Sequence, residues 1–169
     1  MNAKIPTTVI SGFPCIGKST FAQLFPFIFR DLESSTYHWI SVIEAGSGNE
    51  GKEKIPNPEW PNNYIDSIRA LEKSGLYLTI MVSSHEDIRR AMQKAGIRYT
   101  NIFPSDTPEM KKLILDRAKK RGSPPEFIDL LEKNFSDYVK SMAEDPGATR
   151  KVALDLSTIN EWGTWCAYA

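Results

Sequence analysis

Cysteine and histidine are scarce in this chain of 169 residues, two of each, and there is neither a net charge nor a long apolar run. Cys15 and Cys166 lie far apart without metal-ligand spacing. A disulfide-stapled secreted domain and a zinc module are thereby argued against, and a reducing compartment is expected. His38 and His85 are isolated, and each reads as a satisfied helix-start or core residue rather than a ligand. No segment approaches the roughly 18 apolar residues of a membrane-spanning helix. The N-terminus, MNAKIPTTVISGF, lacks a signal-peptide core, so a cytoplasmic protein is expected. Lys plus Arg and Asp plus Glu stand at 21 each, a balance that argues against a generally basic nucleic-acid-coating protein and makes any nucleic-acid role local.

What is present is ordinary for a globular domain: 41% apolar and 25% charged residues, in a length that buries a core as one domain, residues 1–169. The β-branched run TTVIS (Thr7–Ser11) predicts a strand, and a helix pattern begins near Lys18. Short strands are expected at Phe27–Phe29 and His38–Ile43, and a long Gly/Pro/Asn-rich loop over Ala45–Asn63. Tyr64–Lys73 has helical spacing closed by Ser74–Gly75, and Leu76–Val82 is apolar nearly throughout, as a strand buried on both faces requires. Helix His85–Lys94, strand Arg98–Phe103, helix Thr107–Lys120 capped by Asp106 or Thr107, helix Pro124–Met142 and strand Lys151–Leu156 complete the pattern. The alternation predicts an α/β three-layer sandwich with a five-stranded, mostly parallel sheet. Ligands of such sheets bind beyond the carboxyl ends of the strands.

The segment GFPCIGKST fits G-x-x-x-x-G-K-[ST] in the strand-to-helix setting that the pattern requires. Gly12, Phe13, Pro14, Cys15, Ile16 and Gly17 form a loop whose amides can turn inward, and the helix start at Lys18, Ser19 and Thr20 adds its positive dipole end. Polyphosphate is the natural ligand: Lys18 brings a point charge to the β- and γ-phosphates, and Ser19 a hydroxyl to Mg²⁺. Cys15 reads as a small filler.

The acid that partners such a metal usually ends an apolar strand, yet the best strand here ends Val82–Ser83–Ser84–His85 with no carboxylate. Asp31 and Asp155 do follow apolar runs. Asp31 has Glu33 two residues on, on the same face if the strand continues. Asp31 is expected to serve the metal shell and Glu33 to orient or deprotonate an acceptor, with Ser34 and Ser35 beside them. The alternative is a solvated loop with a helix cap.

Arg117, Lys120 and Arg121 share a helix face, either as a lid over the transferring phosphoryl group or as a solvated face. Arg89, which shares a face with His85, is a candidate grip for an acceptor phosphate. NPEWPNNY, with Asn63 and Tyr64, either stacks on a base or packs as a loop. Trp162 and Trp165 read as hydrophobic anchors.

Together GFPCIGKST, DLESST, PNNYI, VSSHEDIR and RAKKRGSPPEFI resemble small phage-type P-loop kinases, described as adenylate-kinase-like or deoxynucleoside monophosphate kinases, over about residues 5 to 142. The resemblance implies a nucleoside monophosphate kinase fold, ATP as donor, Mg²⁺ as cofactor, and a short lid within 107–125. The D-x-E at Asp31 and Glu33 also resembles the D-x-D of shikimate-type kinases, where the first acid serves the metal and the second the acceptor. The D-G-[FY]-P-R strand and large lid insert of cellular adenylate kinases are missing, which leaves the acceptor open.

The leading expectation is a kinase, monomeric or homodimeric, acting on a nucleoside or deoxynucleoside monophosphate. The enzyme alternative acts on another hydroxyl, of a modified base, a polynucleotide end or a small metabolite. A nucleotide-gated binding module is the non-enzyme alternative, with Ala45–Asn63 as its switch.

Overall fold

The computed structural model describes residues 6–43, 52–161 and 167. In chain order these form β1 (Thr8–Gly12), α1 (Lys18–Leu24), β2 (Phe29–Asp31), α2 (Ser35–His38), β3 (Trp39–Ile43), β4 (Lys52–Pro56), α3 (Asn62–Ser74), β5 (Thr79–Ser83), α4 (Glu86–Lys94), β6 (Tyr99–Pro104), α5 (Pro108–Lys120), α6 (Pro125–Ala143) and β7 (Arg150–Leu154). Five strands pair in the order β2-β5-β1-β6-β7, and every pairing is parallel. Helices flank the sheet, as parallel strands need both faces covered.

Alternation along the strands sorts side chains into two cores. Val9, Ile80 and Val82 pack with Tyr64, Ile65 and Ile68 of α3 and Ile88 and Met92 of α4. Ile10, Met81 and Ile102 pack with Phe21 of α1, Ile114 of α5 and Phe135 of α6. The run Leu76–Val82 contributes only its second half to the sheet, since Leu76 and Leu78 stay exposed. Local signals close the helices as expected: Thr107 caps α5 by accepting the Met110 amide at 3.2 Å, and Gly75 ends α3 in the left-handed region.

The segment Ala45–Asn63, expected as one long loop, is corrected in its described part. Lys52–Pro56 pairs antiparallel with Trp39–Ile43 as a separate two-stranded ribbon, and Asn62 already begins α3. The alternating KEKIP reads as polar because only a ribbon, not the main core, receives it. Residues 45–51 of that loop, together with Trp162, Trp165 and Cys166, lie outside the described residues. Among the described residues no helix is long and apolar enough to cross a membrane.

The topology also places the site. From β1 the chain goes to β2 at one edge, returns to β5 beside β1, then crosses to β6 on the other side. Connections change direction at β1, so a crevice opens beyond its carboxyl end.

One buried ion pair ties the helices across this end. Arg89 on α4 and Asp145 after α6 are 4% and 8% exposed and meet at 2.9 Å. Arg89 also donates to the Ser84 carbonyl at 3.0 Å and to the carbonyl and hydroxyl of Ser141. Asp145 accepts from Tyr99 and Asn101, each at 3.0 Å. Burial alone would raise the Asp145 pKa, but Asn101, the Gly147 amide, Arg89 and Tyr99 hold it below the ordinary 3.8. Its stabilising contribution is therefore fully present above the ordinary aspartate value and lost as the pH falls through its own lower one. Removing the cation strands a buried carboxylate: Arg89→Met is expected to cost about 3–5 kcal/mol in urea unfolding at neutral pH, and Asp145→Asn to flatten the acid limb of stability.

Candidate functional site

The loop from β1 to α1 is built by two residues in the positive-φ region, Cys15 at 60° and Gly17 at 121°, the second a conformation that side chains rarely adopt. Gly12 is needed for a different reason: a Cβ there would lie 2.7 Å from Cδ of Lys18. The lysine stem folds back over Gly12, and its ammonium donates to the carbonyls of Gly12 at 2.7 Å and Phe13 at 3.0 Å. Partial burial lowers the Lys18 pKa from 10.5, with Asp31 and Glu33 opposing the shift.

A second cation holds the loop from its other side. Arg117 donates to the carbonyls of Cys15 and Ile16 at 3.3 and 3.2 Å and to Asn160 Oδ1 at 2.6 Å. In a trans peptide the N–H points opposite to the C=O, so fixing these two carbonyls turns the Ile16 and Gly17 amides away from Arg117. At the start of α1 no side chain caps the helix and no acid lies in its first turn. The first amide of α1 with an acceptor is Phe21, to the Gly17 carbonyl, whereas Lys18, Ser19 and Thr20 have none among the described residues. Uncapped amides at a helix N-terminus form an anion seat.

At the end of β2, Asp31 accepts the Ser19 hydroxyl at 2.6 Å. Glu33 accepts the Ser35 amide at 3.3 Å, at the N-terminus of α2. β2 ends at Asp31, so the strand does not continue to Glu33 as the shared-face expectation required, yet both line a narrow cleft of about 130 Å³ with Gly12, Lys18, Ser19 and Arg121, and with Pro14, Cys15, Ser34 and His85 also on its wall. Burial lowers the His85 pKa from its ordinary value, with Asp87 and Glu33 opposing the shift and His38 and Lys18 adding to it. A wider cleft of about 540 Å³ adjoins the other flank of the loop, between Phe21, Leu24 and Phe25 of α1, Arg117 and Lys120 of α5, and Ile159.

Several residues singled out in the sequence serve the fold here. Tyr64 is fully buried, and its hydroxyl donates to the Leu32 carbonyl at 2.6 Å and accepts the Ser83 amide at 3.1 Å. It fixes the spacing of the β2 and β5 ends. Asn63 and Asn57 both spend their side-chain amides on the Tyr37 carbonyl. Trp60 stacks on His38, which stacks on Trp39, and its indole donates to Asp87, so this stretch is a packed turn. Asp155 caps the turn after β7 through Ser157 and Thr158 and does not line the cleft. Arg89 is committed to the buried pair described above. The sequence reading did not single out Asn160, Phe127 or Ser83 and Ser84 as site walls. Only the serines carried a signal, their position after an apolar strand.

No protein-family model matches the chain, and no curated protein matches it.

If Tyr64 acts as a brace, Tyr64→Phe leaves a buried carbonyl and a buried amide without partners. It is expected to lose about 1–3 kcal/mol of stability in urea unfolding, and unchanged stability would remove the brace.

Proposed function

We propose that the protein is a P-loop phosphotransferase of the nucleoside-monophosphate-kinase type, moving the γ-phosphoryl group of Mg-ATP to a nucleoside-type acceptor. The reading is supported above all by one observation: the unpartnered amides of Lys18, Ser19 and Thr20 converge with a lysine ammonium and the Ser19–Asp31 pair at one strand end. A binding module needs the seat, but only a phosphotransferase has use for the second acid, Glu33, on the same wall.

Polyphosphate would lie along the loop amides, with the nucleobase in the adjoining apolar cleft walled by Phe21, Leu24 and Ile159. Ser19 and Asp31 fit magnesium, since both offer hard oxygens and face each other at 2.6 Å. Among the described residues no three acidic, histidine or cysteine side chains cluster as a metal cage, which suits a cation shared with substrate phosphates. Magnesium, when bound, supplies charge neutralisation at the β- and γ-phosphate oxygens. The remaining chemistry falls to side chains. The acceptor oxygen attacks the γ-phosphorus, its proton passes to the Glu33 carboxylate and then to solvent, and the bond to the β,γ-bridging oxygen breaks to release ADP. Arg121 faces the same cleft and offsets the charge spread over the transferring group. Arg117 acts one step removed, by orienting the loop carbonyls.

Two measurements test this. Titration calorimetry with Mg-ATP is expected to give binding that Lys18→Met weakens about 10- to 100-fold, the worth of one or two charge-assisted hydrogen bonds; no binding by the intact protein would sink the reading. Glu33→Gln is expected to lower kcat by about 10²- to 10⁴-fold while Mg-ATP still binds, and unchanged turnover would take Glu33 out of proton transfer.

A further inference from the structure

Beyond Pro14, Ser84, His85 and Phe127 the narrow cleft continues into a second cavity of about 410 Å³ between α4 and α6. Its size falls in the range of about 300–1,000 Å³ typical of small-molecule sites. Phe127, Leu130 and Tyr138 give it an apolar and aromatic wall, and Glu86 and Asp137 bring carboxylates to it. The cavity shares no lining residue with the cleft walled by Phe21 and Ile159, so the donor base and this space do not compete.

The charges around it decide what it can hold. A nucleoside monophosphate carries a dianion that must approach the γ-phosphate. Sites for such groups use arginine or lysine in paired, charge-assisted contacts. The cations on the cleft wall are Lys18 and Arg121, and Lys18 is folded onto the loop that seats the donor. Arg89, the cation that lines the cavity, is spent: four of its hydrogen bonds go to Ser84, Ser141 and Asp145. Facing these stand Asp31 and Glu33 in the cleft and Asp137 in the cavity, whereas Glu86 is paired with Arg90 one helical turn on. Like charges repel, so a dianion in the cavity would meet the Asp137 carboxylate, and Arg121, the remaining cation on the cleft wall, is already assigned to the transferring group.

From this we infer that the acceptor is an uncharged nucleoside, held in the α4–α6 cavity with a sugar hydroxyl toward Glu33, and not a nucleoside monophosphate. The inference rests on the phosphotransferase reading and narrows its acceptor. The ring lies against Phe127, Leu130 and Tyr138, as flat bases do on aromatic and apolar walls. Its amino and imino N–H groups face Asp137, an acceptor that selects for such donors. The transfer is the one written above: a sugar oxygen takes the phosphoryl group, its proton leaves through Glu33, and the products are a nucleoside phosphate and ADP.

The test uses the intact protein with Mg-ATP and two matched series, thymidine, deoxycytidine, adenosine and guanosine against their 5′-monophosphates. ADP release is coupled to a dye, and products are identified by phosphorus NMR. At least one nucleoside is expected to stimulate ADP release and appear as its monophosphate, with kcat/KM about 100-fold or more above that of its 5′-monophosphate. Efficient use of the monophosphates instead would overturn the inference and leave the phosphotransferase standing. Mg-ATP binding with no response to either series would also overturn it, whereas failure to bind Mg-ATP removes the parent reading. To place the acceptor, Leu130→Trp fills the cavity from an exposed rim position. It is expected to raise the nucleoside KM about tenfold or more, with the thermal midpoint checking the fold; an unchanged KM in a folded variant would overturn the cavity as the site.

Discussion

Three main-chain amides at the start of α1 have no acceptor among the described residues, and the rest of the cleft is arranged around that deficit. A helix start normally recruits Ser, Thr, Asp or Asn to satisfy these donors, and α5 does so with Thr107. Here the cap position is Gly17, which has no side chain to offer. The chain keeps the donors open at a surface where Ser19 and Thr20 are exposed, an arrangement that suits an anion able to supply the missing acceptors.

The deficit is maintained by two cations working on carbonyls. Lys18 takes those of Gly12 and Phe13, and Arg117 takes those of Cys15 and Ile16. Because peptide planes are rigid, gripping the oxygens sets where the nitrogens point. Electrostatic and steric demands meet at Gly12, where the lysine stem occupies the volume a side chain would need. The acids at the end of β2 are placed by a separate brace, the Tyr64 hydroxyl linking Leu32 to Ser83.

Much of this was legible in the residues. The β-branched run, the glycine spacing and the Lys-Ser pair are local patterns, and local patterns gave the order of all five main strands and of the longer helices. Of the ribbon, β3 was expected as a strand at His38–Ile43, but β4 was missed because KEKIP alternates charge with a single isoleucine and pairs with a segment nine residues or more away. Arg89 read as a candidate grip for an acceptor phosphate because its partner Asp145 is 56 positions on, a pairing that only tertiary structure supplies. Tyr64 was placed at a ligand for the same reason: its two partners come from different strands. Arg117 was expected either to close over a phosphoryl group or to lie on a solvated face, and its bonds run to the loop backbone and Asn160. Sequence spacing puts a cation on a face and says nothing of which atoms that face will meet.

The bond from Arg117 to Asn160 joins residues 43 positions apart and reaches from α5 to the turn behind the edge strand β7. During synthesis β1, β2 and β5 can associate well before that turn has emerged from the ribosome. The loop after β1 is therefore held in two stages, its backbone laid down early and its outer clasp formed only when residue 160 arrives. A nascent chain would carry a recognisable scaffold but a loose grip, which couples ligand capture to completion of the sheet's far edge.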